Sequence, residues 1–220
     1  IRDRVLADHV IMEGLFARSK DPVPFQQRRD LEYQVIQEGD EWGQTWDSAW
    51  FHLSGKIPKD WTNDEVVAHL DFNGEALVFS PEGIPLQGLT NGSVFGRITR
   101  HNFRLAAPVL KNPQIELWVE AAANSIMGIH RPRDPERGKK TIEATGNQIA
   151  STAATLRPGD RISRHGSYRG IVNRMRIARF KRDLYDLWLD MEVLNGLLDS
   201  VPDSSTRYAR ILEGLVKVTN

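Results

Sequence analysis

His69-Leu70-Asp71 sets a histidine and a carboxylate two residues apart, a spacing that on a strand puts both side chains on one face and suits a pair of zinc ligands. No further histidine cluster backs the pair, and Val66, Val67 and Leu70 around it read as sandwich core, so a structural role is expected. Glu75 and Glu120 are carboxylates of the kind a glycoside-cleaving acid and base would need, but that chemistry requires carboxyls about 5 to 9.5 Å apart, which spacing in sequence cannot supply. Glu120 also alternates with apolar residues, as the polar face of a strand does. Trp42, Trp46, Trp50 and Trp61 form a further cluster, and indole faces stack on the apolar faces of sugar rings while the N–H donates a hydrogen bond. Trp46 and Trp50, with Glu75, Gln87 and Asn124 as polar neighbours, are therefore the candidate carbohydrate contacts. The competing reading makes the tryptophans core and edge fillers. There is no nucleophile elbow, glycine-rich phosphate loop or Walker pattern, so no catalytic or metal-ligating residue is assigned to the chain.

Those residues lie mostly in a stretch of period-two sequence running from Trp46 to about Met127. Between Gln114 and Ala122, Ile115, Leu117, Val119 and Ala121 oppose Glu116, Trp118 and Glu120, and Ala49, Phe51 and Leu53 oppose Trp50, His52 and Ser54 in the same manner. Val66, Ala68 and Leu70, then Leu77 and Phe79, repeat the pattern, with Asn73-Gly74, Glu82-Gly83 and Asn91-Gly92 as turns. This predicts a β-sandwich or jelly roll over residues 25–129. Before it, Val5, Leu6, Val10, Ile11, Leu15 and Phe16 recur at helical spacing, predicting one amphipathic helix and a loop over residues 1–24, closed by Pro22 and Pro24. After it, residues 130–170 read as a polar, basic insertion or loop with room for a further strand. Ile177, Phe180, Leu184, Leu187, Met191, Leu194 and Leu198 predict a strong helix, and Ser204 or Ser205 can cap a last one, making residues 171–220 a helical linker. The fold class expected is mainly β with flanking α-helices.

With 220 residues, 40% of them hydrophobic, the chain can bury a core, and its 29 basic and 29 acidic residues create no global field to recruit nucleic acid or an anionic membrane. Residues 131 to 182 nonetheless hold fourteen Lys/Arg against four Asp/Glu, which leaves the remainder at −10. A tract poor in interleaved aromatics suits a solvated loop, or one docking on an acidic neighbour, better than nucleic acid. The lack of cysteine suits a cytoplasmic protein. A start at Ile1 rather than methionine suggests trimming, and a last helix with an unexplained apolar face suggests further sequence beyond Asn220.

Four blocks carry a family resemblance. The segment from Trp42 to Trp61 (WGQTWDSAWFHLSGKIPKDW) resembles the opening strand of the N-terminal domain of glycoside hydrolase family 38 α-mannosidases. Residues 71–79 and 83–90 resemble that family's "GEALV…G.PLQGLT" stretch, and residues 119–128 its "VEAAANGLFG" strand. Residues 183–194 resemble the helix leading toward the catalytic barrel. The resemblance implies a galactose-binding-like jelly roll that is itself non-catalytic and packs on its own catalytic domain. Zinc and the nucleophile would belong to that domain, which would hydrolyse terminal α-mannosides. It leaves room for a homo-oligomer and for a stand-alone carbohydrate-binding module, and implies neither nucleic-acid nor membrane partners.

Overall fold

The computed structural model describes residues 4–44, 47–61, 64–90, 100–105, 113–123, 169–198 and 200–219. Twelve strands are present among them: β1 (Leu6–Ile11), β2 (Glu13–Ser19), β3 (Gln34–Ile36), β4 (Glu41–Gln44), β5 (Ser48–Lys56), β6 (Glu65–Asp71), β7 (Glu75–Phe79), β8 (Pro85–Leu89), β9 (Asn102–Arg104), β10 (Gln114–Ala122), β11 (Arg169–Ile171) and β12 (Arg174–Phe180). Helices α1 (Arg182–Leu198) and α2 (Thr206–Thr219) follow. A six-stranded sheet, β3-β2-β5-β10-β7-β8, faces a four-stranded one, β1-β12-β6-β9, and β4 pairs with β11 as a separate ribbon. Every pairing is antiparallel, as the period-two alternation requires.

Alternation decides which side chains meet between the sheets. Ala49, Phe51 and Leu53 on β5 and Ile115, Leu117, Val119 and Ala121 on β10 pack against Val66, Ala68 and Leu70 on β6 and Met175 and Ile177 on β12. Phe51 anchors this core, with the Phe72 ring 4.4 Å away and the Trp42 ring edge-on at 5.5 Å. The buried Trp42 indole N–H donates to the Phe72 carbonyl at 2.9 Å, so its one polar atom is satisfied. On β7 the main-core residue is Val78, whereas Leu77 and Phe79 point to the opposite face and enter a second cluster.

Two expected helical segments are strands. The predicted N-terminal helix is replaced by β1 and β2, with β1 paired to β12 in one sheet and β2 to β5 in the other. Met12 makes the crossing, its N–H donating to the Met175 carbonyl at 2.9 Å. An irregularity lies between Leu6 and His9, so Leu6 packs with Val5 in the cluster around Phe180 while Val10 and Phe16 face the main core and Ile11 and Leu15 are exposed; the helical spacing thus collects residues from three environments rather than one face. Ile177 and Phe180 likewise belong to β12, where Met175 and Ile177 point inward and Arg174 and Arg176 outward. The helix starts only at Arg182, after the Lys181 N–H has bonded the Val5 carbonyl at 2.8 Å. Ser205 caps α2 by accepting the Tyr208 N–H at 3.1 Å. The basic insertion expected over residues 130–170 falls almost wholly outside the described residues; β11 begins at Arg169.

Candidate functional site

Trp50 lies on the face of the six-stranded sheet that looks away from the main core, as strand parity requires. That face is roofed. Val23, Phe25, Leu31 and Tyr33, from the segment around a 3-10 turn at Phe25–Asp30, close over Trp50, Phe79 and Trp118. Trp50 is only 2% exposed, its N–H donates to the Val23 carbonyl at 2.7 Å, and its ring meets Phe25 and Phe79 at 5.6 and 5.2 Å. Both its face and its donor are occupied, so the structure corrects the expectation that Trp50 stacks on a sugar. Arg28 seals the roof at 4% exposure, its guanidinium 3.4 Å from the Phe25 ring centroid and 4.2 Å from that of Trp118. Its Nη1 donates to the Phe25 carbonyl at 2.7 Å, and the Tyr33 hydroxyl donates to the Arg28 carbonyl at 2.8 Å. Burial pushes the Tyr33 phenol up to about 12. Sequence reasoning missed this layer because nothing in the polar 26–30 run marks an arginine as buried.

The other candidates do not converge. Register sets Glu75 opposite Ala122 and Glu120 opposite Leu77, which makes the two glutamates diagonal neighbours on adjacent strands. Burial pushes the Glu120 carboxyl above its ordinary value. Gln87 stands opposite Val78, with the parity of the main core, and its side-chain N–H donates to the Asn102 carbonyl at 2.9 Å, tying β8 to β9. Trp46 and Asn124 lie outside the described residues. His69 donates from Nδ1 to Asn102 Oδ1 at 2.7 Å, and burial holds its imidazole below the ordinary histidine value. Asp71 accepts the Asn73 N–H at 2.9 Å and lies 3.8 Å from His101. Both members of the His-x-Asp pair thus hold turns and strands together. Among the described residues, no group of three His, Cys, Asp or Glu side chains could hold a metal ion.

Besides an apolar cleft of about 640 Å³ lined by exposed Ile11, Leu15 and Val35, two features of the described residues are open to partners. One is the α1–α2 hairpin, anchored at its base where Leu184 and Tyr185 pack on Val5, Val67, Ala178 and Phe180. No residue of α1 is fully buried, and Val193, Leu212, Val216 and Val218 are exposed. Among the described residues no helix is long and apolar enough to cross a membrane. The other is a polar cleft of about 450 Å³ at the β3 edge of the six-stranded sheet, facing the β4–β11 ribbon.

Two facing antiparallel sheets around one core define a jelly-roll β-sandwich domain. A family model described as "Alpha-mannosidase, jelly roll domain" matches residues 12–150, and the chain belongs to that family. Alpha-mannosidase 2C1 of Mus musculus is 25% identical over 221 residues, a match that takes in 100% of this chain and 18% of that protein. Alpha-mannosidase 2C1 of Homo sapiens is 27% identical over 190 residues, covering 86% of this chain and 15% of that protein. Alpha-mannosidase G of Dictyostelium discoideum is 27% identical over 124 residues, covering 54% and 11% respectively. The chain therefore spans less than a fifth of the length of these relatives.

Proposed function

We propose that this chain is the accessory β-sandwich of a glycoside hydrolase family 38 α-mannosidase, and that it packs on and supports a catalytic domain that hydrolyses terminal α-mannosides. The observation that carries the reading is the family match over residues 12–150, joined to relatives whose remaining length is several times that of this chain. The exposed apolar residues of the α1–α2 hairpin supply a surface for such a domain. Zinc and a carboxylate nucleophile would belong to the catalytic domain. The described residues here offer no donor set for the metal. The absence of cysteine fits a cytoplasmic enzyme.

An aryl α-mannoside assay tests the reading. The 220-residue chain alone should release no aryl alcohol, while a longer polypeptide carrying the catalytic domain should turn the substrate over. Hydrolysis by the 220 residues themselves would overturn the accessory role.

A further inference from the structure

The polar cleft has a built frame. Phe16 pairs with Phe51 on one side and Gln34 on the other, so register gives Gln34, Phe16 and, two residues on, Arg18 the parity of the main core. The cleft is thus the sandwich's interior face carried outward to the edge strand, where the β4–β11 ribbon stands opposite it. On that ribbon Gln44 pairs with Arg169. The ribbon is fixed by Gly170, where an added Cβ would stand 2.3 Å from the Trp42 ring, and by Asp47, which accepts the Gln44 N–H at 2.9 Å. Phe16 is held by stacking on Phe51, with centroids 6.1 Å apart. The charge lining the cleft balances, Arg18 and Arg169 against Glu32 and Glu41, and Arg169 Nη1 already donates to Glu41 Oε2 at 2.6 Å.

We propose that this cleft binds a neutral saccharide. The lining carries no net charge: an anion would meet Glu32 and Glu41, with Arg169 already bonded to Glu41 and Arg18 3.8 Å from Asp47, and a cation would meet Arg18 and Arg169. A sugar needs neither. Each hydroxyl is both donor and acceptor, which is what the side-chain amides of Gln34 and Gln44 complement, and the Phe16 ring offers an apolar surface to the C–H face of a pyranose. A volume of about 450 Å³ lies in the ordinary range of ligand pockets, about 300–1,000 Å³. The site differs from the roofed Trp50 face, and its occupation is independent of whether the chain packs on a catalytic domain.

The test is a titration of the isotopically labelled 220-residue chain with mannobiose, maltose, lactose and inorganic phosphate, read by amide and guanidinium NMR signals. At least one of the sugars should shift the Gln34 and Gln44 side-chain amides and Arg169 Nε–H saturably, with a Kd in the range of about 1–10 mM. Gln34→Ala and Arg18→Ala, both at exposed positions, should each weaken binding about tenfold while leaving the rest of the spectrum in place. The proposal is overturned if none of the three sugars shifts these signals at about 50 mM, well above that range. It is equally overturned if phosphate alone does so.

Discussion

Glu38 ties the turn after β3 to the start of β12. Its carboxylate accepts the Met175 N–H at 2.8 Å and two N–H groups of Arg176, Nε at 2.6 Å and Nη2 at 2.5 Å, while Arg176 Nη1 donates to His9 at 3.0 Å. Burial alone would raise this carboxyl, but the hydrogen bonds from Arg176 and Met175 outweigh it and hold the acid below its ordinary value. An acid depressed in the folded state binds its proton more readily when the chain is unfolded, so stability rises with pH across that window. The contribution is complete above the ordinary glutamate value of about 4.3 and disappears as the pH falls through the lower folded value. Glu38→Gln should cost about 2 kcal/mol in urea unfolding at pH 7, and much less near pH 3, where the wild-type bonds are themselves being lost. An equal cost at both pH values would mean that the charge on Glu38 contributes nothing. This residue was not legible in the sequence, because Glu38 reads as one more polar loop side chain until β12, 137 residues away, is folded beside it. Trp50 shows the converse. Its strand parity was plain, yet whether the face it occupies meets water or a roof depends on Val23, Phe25 and Tyr33, which no local pattern places there.

At the scale of elements, long uniform alternation was the dependable signal. β5 and β10 follow their sequence patterns residue for residue, since a one-position slip would turn Phe51, Leu53 and Val119 out of the core. Short strands that change sheets defeat the same reasoning. In β1 and β2 the chain switches from one sheet to the other at Met12, and core-facing Val10 and Phe16 together with exposed Ile11 and Leu15 imitate a helix face by spacing alone. At the other end, Ile177 faces the main core while Phe180, of opposite parity, faces the cluster that receives Leu184 and Tyr185 of α1, so strand and helix residues together imitate a single helical stripe. The two-residue contacts that secure a short ribbon matter more than its length. β11 has three residues, and Gly170 at its centre lies directly against the Trp42 ring. A methyl group there meets the rigid indole rather than the end of a flexible chain. Gly170→Ala should therefore cost about 1–3 kcal/mol and alter the fluorescence of the buried Trp42, as overpacked cores do. An unchanged unfolding midpoint would show that the ribbon shifts without penalty.

At the scale of the whole molecule, four arginines in the described end of the basic tract are paired with acidic residues from the start of the chain. Residues 131 to 182 are basic by ten charges, and within the described part of that tract Arg169 bonds Glu41, Arg176 bonds Glu38, Arg179 bonds Asp8 and Arg182 bonds Glu65. Acidic residues of the first 65 positions thus receive the strands that arrive late in the chain. Among the described residues, the α1–α2 hairpin is one part that this arrangement leaves uncovered. Leu212 and Val216 are four residues apart on α2, hence neighbours on one face, and they are 44% and 47% exposed. If that face serves only this chain, charging it changes little; if it meets a catalytic domain, charging it buries two carboxylates in an apolar contact. The double variant Leu212→Glu/Val216→Glu should therefore leave the unfolding free energy of the 220-residue chain within about 0.5 kcal/mol of wild type. In a longer polypeptide carrying the catalytic domain, the same pair should lower the temperature at which aryl α-mannoside turnover is lost and make this domain accessible to protease. A longer polypeptide that keeps both its thermal inactivation profile and its protease resistance would place the domain contact elsewhere than on the hairpin.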